Sequence, residues 1–371
     1  MYETFIKPIL FRFDPERMHD LFTWIGERLG SCAPGRALVR ACCAYRHPAL
    51  RTCVAGIEFA NPVGLGAGFD KDVRLTGIMP AVGFGFMEAG AITRWPYKGN
   101  DGLRLVRLPE DRSLIVYYGL KNVGAEAVLA ALPAITAKRH GGTGDGFAIP
   151  VGVNIAKTNR ADIRGAASME DYADTYRMLA PHFAYVTLNV SCPNAQDGLT
   201  FQDPRMLDEL LAAIARAPKS CPVFLKISTH LSFEEADAIL DVVGRYPFVD
   251  GFVIGNLSKR REDLLLRSSR EKLDAVPQGG ISGAPIRDIS TALIRHVYAQ
   301  SGGKYAIIGL GGVFTAEDAY EKILAGASLV QLVTGLIYGG PAAVRRINKG
   351  LVKLLARDGY AHVADAVGKG L

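Results

Sequence analysis

Polar side chains recur at the ends of short apolar runs along this chain of 371 residues. Asn154, Asn189 and Lys226 lie within such runs, Asn256 ends another, and Lys71 follows the first run in the sequence DKD. A buried strand has no structural need for asparagine or lysine, because each costs free energy there unless it is paired. Such residues at successive strand ends therefore predict a ligand-binding site.

Cys192 follows the fourth run, between Asn189 and Asn194 and directly before Pro193. A thiol beside a bound ligand can act as a base or a nucleophile. No histidine and aspartate pair is identifiable near it in sequence, which argues against a cysteine-protease arrangement. A purely structural thiol is the alternative, and the flanking asparagines favour a functional one.

The last two apolar runs end in residues that predict a phosphate site. Gly311-Gly312 ends the seventh run and Thr334-Gly335 the eighth, and helical patterns follow both. Glycine backbone at such loops is a frequent phosphate cradle in barrels, although ordinary turn glycines are the alternative. Lys226 would then place a positive charge near the middle of the pocket. That charge would stabilise a reduced, anionic flavin, or the amine would form a Schiff base with a carbonyl substrate.

The arrangement of the runs predicts the fold that would position these residues. Eight runs are apolar on both faces, as buried parallel strands are. Amphipathic helical patterns separate most of them, at residues 168–179, 203–216, 233–246, 286–300 and 316–325. We therefore predict a (β/α)8 TIM barrel with a small N-terminal helical extension. A doubly wound sheet is the alternative, but the glycines at 64–68 lack the spacing of its fingerprint. The strands are expected at residues 62–67, 84–91, 150–156, 185–191, 223–228, 251–256, 305–312 and 329–335.

The first 45 residues have a different pattern from the rest of the chain. Asp14-Pro15 reads as a helix N-cap followed by a proline in the first turn, and apolar residues continue at helical spacing to Gly30. Two amphipathic helices here could pack on the barrel or could dip into a bilayer interface. We predict that residues 1–45 form a separate amphipathic helical region that associates with a membrane and that residues 46–371 form the barrel with the site.

Composition excludes several classes of protein. Hydrophobic residues make up 49% and charged residues 22%, which is typical of a folded domain with a large core. The net charge of +6 comes without a Lys/Arg-rich run, so we expect no nucleic-acid partner. None of the six cysteines forms a C-x-x-C pair, so we expect no metal site, and without a secretory signal we expect reduced thiols. No apolar run reaches the ~18 residues of a membrane span.

Nine segments along the whole chain resemble those of one family: FDPERMHDLF, NPVGLGAGFDKD, RLVRLPEDRSLI, VGVNIAKTN, LNVSCPN, FLKIS, GGISGAP, IIGLGGVFTAEDAYEKILAGASLVQL and TGLIYGGP. The family is the class 2, quinone-linked dihydroorotate dehydrogenases. The resemblance implies an FMN-binding barrel that oxidises dihydroorotate to orotate in pyrimidine biosynthesis, with a quinone as electron acceptor. It also implies that residues 1–45 form a membrane- and quinone-associating region, which attaches the protein peripherally to the cytoplasmic face of a membrane.

The resemblance also implies roles for individual residues. Cys192 would be the catalytic base, and the substrate would contact Lys71, Asn189, Asn194 and Asn256. The phosphate of FMN would lie at the Gly312 and Thr334 loops. The residues implied to hold FMN are Ala67, Gly68, Lys71, Asn154, Asn189, Lys226, Gly283, Gly312 and Thr334.

Three substrate-side positions depart from the family pattern. Cys192 stands where class 2 members have serine, Val116 replaces an asparagine, and Leu257 replaces a threonine. A site that binds a polar ligand through hydrogen bonds loses affinity when the side chains that make those bonds are replaced by apolar ones. The departures favour an alternative, a paralogous FMN barrel oxidoreductase with a less polar substrate. Two further alternatives are a flavin-binding membrane-surface protein without turnover and a Schiff-base aldolase that uses Lys226.

Overall fold

Eight parallel strands close into a barrel in the computed structural model, which describes residues 2–136, 146–192 and 201–371. Around the barrel the strands follow the order β3, β4, β7, β8, β9, β10, β12 and β13. The strands of the described residues are β1 (Thr52–Val54), β2 (Ile57–Phe59), β3 (Val63–Leu65), β4 (Phe86–Ile92), β5 (Leu105–Leu108), β6 (Ser113–Val116), β7 (Val151–Ile155), β8 (Tyr185–Asn189), β9 (Val223–Ile227), β10 (Val249–Ile254), β11 (Gly280–Ile281), β12 (Ala306–Leu310) and β13 (Leu329–Leu332).

The eight barrel strands confirm the apolar runs predicted from the sequence. Every residue of β4, β7, β8 and β9 is buried, because one face of each strand meets the barrel interior and the other meets the helices. Side chains alternate between these faces along each strand. Phe86, Tyr185 and Phe224 pack together in one cluster and fill one end of the interior.

Helices follow most barrel strands, as the sequence predicts. Thr315 and Ser232 each form a capping box at the start of a helix, which fixes where the helix begins. The helices are α1 (Lys7–Leu10), α2 (Pro15–Ser31), α3 (Ala33–Cys43), α4 (Met79–Val82), α5 (Ala125–Thr136), α6 (Ala166–Leu179), α7 (Pro204–Ile214), α8 (Phe233–Val243), α9 (Arg270–Asp274), α10 (Arg287–Gln300), α11 (Ala316–Leu324), α12 (Thr334–Gly339) and α13 (Ala343–Arg357).

Two small antiparallel sheets flank the barrel, and the sequence analysis predicted neither. The hairpin of β1 and β2 packs Val54 and Phe59 against the interior cluster around Phe86. The second sheet has the order β11, β6, β5, and its register pairs Val116 with Gly280. This second sheet brings β6 to the mouth of the barrel, where it forms part of the site described below.

The N-terminal helices dock against this mouth. The Asp14 carboxylate accepts a hydrogen bond from the Arg17 N–H (2.8 Å), which confirms the predicted N-cap, and α2 ends at Ser31, one residue beyond Gly30. Glu16 forms ion pairs with Arg104 and Lys121. The division of the chain after residue 45 stays a prediction. Among the described helices, none combines the length and apolar character that a bilayer crossing requires.

Candidate functional site

A large cavity opens at the carboxyl ends of the barrel strands. It contains 1270 Å³ of space including its open mouth, which is ample for a small-molecule cofactor. Asn194 was also predicted to contact ligand, but it lies outside the described residues. The functional roles of the residues that line the cavity stay predictions. The predicted residues that line the cavity are Ala67, Gly68, Lys71, Asn154, Asn189, Cys192, Lys226, Asn256, Gly283, Gly312 and Thr334.

Lys226 supplies a positive charge at the cavity floor. It projects from β9, where its register neighbours are Asn189 on β8 and Val253 on β10. Only 4% of the residue is exposed. Burial lowers the pKa of Lys226 because it disfavours the ammonium form, while the charges of Glu88 and then Cys192 act in the opposite direction.

The asparagines of the site are held by hydrogen bonds to one another and to the strands beneath. The amide Nδ2 of Asn154 donates to Glu88 Oε1 (2.8 Å), and Nδ2 of Asn189 donates to Asn154 Oδ1 (3.1 Å). Asn256 Nδ2 donates to Ser191 Oγ (2.9 Å). The Tyr172 hydroxyl also donates to the backbone carbonyl of Asn189. The amides therefore have fixed orientations before any ligand binds.

Lys71 lies in a loop that a buried carboxylate shapes. Asp70 accepts hydrogen bonds from the N–H groups of Arg74 (2.9 Å) and Leu75 (2.8 Å), and burial raises the Asp70 pKa to about 6. The Lys71 ammonium lies 4.4 Å from the centre of the Tyr118 ring, a cation–π distance. Burial, followed by the charge of Lys121, lowers the Lys71 pKa to about 8.

Helix α2 contributes His19 to the cavity wall, a contact that sequence reasoning missed. His19 Nε2 lies 2.7 Å from the carbonyl oxygen of Phe69 and 3.4 Å from Lys71 Nζ. Burial, followed by the charge of Lys71, lowers the His19 pKa to about 4. The imidazole is therefore neutral at pH 7, and Nε2 carries the proton that it donates to Phe69.

The predicted phosphate loops approach one another on the far side of the cavity. Gly283 and Gly312 both have positive φ (+80° and +72°), and a Cβ at Gly312 would lie 2.3 Å from Arg287 Cβ. Within the described residues, their backbone N–H groups donate to no backbone carbonyl. The Thr334 loop meets the Gly312 loop, since a Cβ at Gly335 would lie 2.0 Å from the Val313 carbonyl oxygen. Ser282 Oγ and Thr334 Oγ1 lie 2.8 Å apart and join the Gly283 segment to the Thr334 loop. Free N–H groups and hydroxyls at one place suit an anionic oxygen ligand.

Gln331 and Glu88 also escaped the sequence analysis, whereas Val116 was already expected on the substrate side. Val116 and Tyr118 reach the cavity from the unpredicted sheet around β6. Gln331 and Glu88 are polar residues inside apolar strands, and both are fully buried. The signal for these two was present, because a charge or amide within an apolar run is as costly as one at its end. The described residues contain no cluster of three histidine, cysteine or acidic side chains that could hold a metal ion.

Comparison with known proteins identifies the family. Residues 49–355 match the family model described as dihydroorotate dehydrogenase. Dihydroorotate dehydrogenase (quinone) of Nocardia farcinica is 38% identical over 99% of this chain and 96% of its own length. The protein of the same name from Anaeromyxobacter dehalogenans is 41% identical over 98% of this chain and 95% of its own length.

A solved structure is similar over nearly the same extent. It is that of DHODH from Eimeria tenella in complex with ferulenol, which superimposes with a TM-score of 0.83 at 30% identity. The alignment covers 96% of this chain and 95% of the other. These similarities show that the chain, with its barrel and its polar cavity, belongs to the dihydroorotate dehydrogenase family.

Proposed function

We propose that this chain is a flavin oxidoreductase that binds FMN, oxidises dihydroorotate to orotate and passes the electrons to a quinone. The observation that carries the proposal is the cavity itself. It places a buried lysine, three oriented asparagines and a thiol in one space with two glycine loops whose N–H groups donate to no backbone carbonyl of the described residues. Each of these features supports one part of the reaction.

The residues present fit FMN. Gly68 has φ +98°, and no atom lies within 4 Å of a Cβ built there, which leaves room for a flat ring against the backbone. The free N–H groups of Gly283 and Gly312 with the Thr334 hydroxyl suit a single phosphate. Lys226 would stabilise negative charge that develops on the ring system. When bound, FMN would supply the hydride-accepting chemistry, which no protein side chain provides.

Cys192 and the asparagines supply the remaining chemistry. Asn189 and Asn256 offer amide donors and acceptors that suit the imide edge of a pyrimidine, and Lys71 suits its carboxylate. Cys192 lines the same cavity and is partly exposed, so its thiolate can remove the proton from the ring carbon next to the carbonyl. Asn194 would complete this set, by the family resemblance.

The N-terminal helices support quinone use at a membrane surface. They expose an unusual number of large apolar side chains, including Phe5 (67% exposed), Trp24 (51%) and Leu38 (66%). Exposed apolar groups beside basic residues are typical of helices that lie in a bilayer interface. His19 connects α2 to the cavity, so a quinone entering along these helices would reach the site. We propose peripheral attachment of residues 1–45 at the cytoplasmic face.

Purified protein tests the proposal directly. We expect a yellow protein that releases FMN on denaturation and that reduces a soluble quinone only when dihydroorotate is present. Deletion of residues 1–45, which also removes His19 from the cavity wall, should slow the reaction with a long-tailed quinone more than it slows flavin reduction and should abolish vesicle binding. A colourless protein that FMN cannot reconstitute would contradict the proposal. Protease protection in membrane vesicles would test the cytoplasmic orientation.

A second candidate is an FMN barrel oxidoreductase with a less polar substrate. Val116 and Leu257 both line the cavity, where the family resemblance places an asparagine and a threonine. Tyr118 adds aromatic surface beside them. A flavoprotein that stays oxidised with dihydroorotate would favour this second candidate.

A further inference from the structure

A carboxylate lies inside the barrel beneath the cavity and does not line it. Glu88 projects from β4 and is fully buried. Its Oε1 accepts the hydrogen bond from Asn154, and its Oε2 accepts from Thr187 Oγ1 (3.1 Å) and Gln331 Nε2 (3.0 Å). Tyr185 approaches the same oxygen at 3.5 Å. These donors come from β7, β8 and β13, so Glu88 is the centre of a polar layer inside an otherwise apolar barrel.

The chemistry of a carboxylate fixes the direction of the hydrogen bonds above it. An ionised carboxylate accepts hydrogen bonds and cannot donate them. Asn154 must therefore turn its Nδ2 toward Glu88, which leaves its Oδ1 to accept from Asn189 Nδ2 (3.1 Å). Asn189 Oδ1 then accepts from Ser191 Oγ (3.4 Å). The orientations of Asn154 and Asn189 therefore follow from Glu88, whereas Asn256 is oriented by the backbone, because its Nδ2 donates to the Ser191 carbonyl (3.1 Å) and its Oδ1 accepts from the Leu257 N–H (2.8 Å).

We propose that Glu88 is a positioning residue, which sets the edges that Asn154 and Asn189 turn toward ligand. The inference rests on the proposed FMN and substrate site, because Asn154 and Asn189 are amides assigned to it. Glu88 acts through Asn154. An asparagine free to rotate would present either of two edges, and only one of them would match a given ligand.

The variant Glu88→Gln removes the constraint with little change of shape. A glutamine at this position can turn its oxygen toward Asn154, as in the native chain, or can turn its nitrogen there. In the second arrangement Asn154 accepts from the new glutamine and donates to Asn189, so both asparagine amides are turned over. Thr187 and Gln331 can still donate to the oxygen of the new glutamine. Both arrangements satisfy the buried groups, so the barrel has no unique amide orientation.

The swapped pair Glu88→Gln with Gln331→Glu restores the direction. The carboxylate introduced at position 331 accepts a hydrogen bond from the amide nitrogen of the glutamine at position 88. The amide oxygen of that glutamine therefore points toward Asn154, as the Glu88 carboxylate does in the native chain. Thr187→Val is the matched control, because it removes a donor to Glu88 that lies outside the asparagine chain.

We would measure dissociation constants for FMN and, in the holoprotein, for orotate by flavin absorbance. For E88Q we expect about a tenfold increase in both constants, with recovery to within about threefold in the swapped pair and native values in T187V. Native constants in E88Q, or a folded swapped pair that does not recover, would overturn the proposal. If wild-type holoprotein does not bind orotate, the proposed substrate fails, and the FMN constants still decide the role of Glu88.

A neutron structure of the wild-type holoprotein tests the same claim without any variant. We expect deuterium on Asn154 Nδ2 directed at Glu88 and none on the Glu88 carboxylate. A protonated Glu88 that donates to Asn154 Oδ1 would overturn the proposal, even if E88Q and the swapped pair fail to fold.

Discussion

His19 makes folding stability depend on pH in a direction that the structure specifies. Its side chain is 16% exposed, and burial followed by Lys71 lowers its pKa from 6.5 to about 4. The folded state therefore disfavours the protonated imidazole, whereas the unfolded chain accepts the proton near pH 6.5. The stabilisation is fully present above pH 6.5 and is lost progressively as the pH falls toward 4.

The size of the effect follows from the shift. One pKa unit corresponds to 1.36 kcal/mol, so the full shift is worth about 3 kcal/mol, of which about 2 kcal/mol is lost between pH 7 and pH 5. Asp70 acts in the opposite sense, because its pKa is raised to about 6 and its contribution to stability is lost as the pH rises. The contribution of His19 must therefore be isolated with a variant.

Urea unfolding of wild type and His19→Gln at pH 7 and pH 5 isolates it. Glutamine can still donate to the Phe69 carbonyl but does not titrate. We expect the free energy of unfolding to fall by about 2 kcal/mol more in wild type than in H19Q between these two pH values. His182→Gln, at an exposed position, is the matched control and should behave as wild type. Equal pH dependence in wild type and H19Q would refute the assignment of His19 as a buried neutral group.

Three further predictions concern the cavity. Lys226→Met should lower the midpoint potential of the bound flavin by about 30 mV or more, a tenfold change for a two-electron couple, in a spectroscopic redox titration. An unchanged potential would contradict the charge-stabilising role proposed for Lys226. Cys192→Ala should bind FMN and substrate, but its rate constant for flavin reduction in stopped flow should fall by a factor of about 10² to 10⁴. Cys192→Ser should retain partial activity with its optimum at higher pH. Native rates in the alanine variant would show that the thiol is structural. Gly312→Ala should weaken FMN binding at least about tenfold in a fluorescence titration, because a Cβ at this position meets Arg287 and its φ is +72°. Native affinity would show that this loop does not bind the phosphate.

The barrel was predictable from sequence because its strands carry the simplest pattern. Strands covered on both faces are continuous apolar runs, such as residues 151–155, and caps such as Thr315 mark where helices begin. The sheet of β5, β6 and β11 was not predictable in the same way. Its strands are short, and Val116 pairs with Gly280, which is far away in sequence. Local patterns carry no information on such pairing.

The site was predictable in its residue types and only partly in its connections. Polar residues at strand ends identified Asn154, Asn189 and Lys226, because the topology brings all strand ends to one face. The support beneath them was missed, since Glu88 takes its partners from three other strands. His19 was missed for a related reason. Its helix precedes the barrel by many residues, and nothing in its own spacing indicates contact with Lys71.

Anaerobic titration of the purified flavoprotein with dihydroorotate tests the central claim most directly. We expect the absorbance of the oxidised flavin to bleach stoichiometrically and to return when a quinone is added. A flavin that remains oxidised at saturating dihydroorotate, in protein that a chemical reductant still bleaches, would contradict dihydroorotate as the substrate.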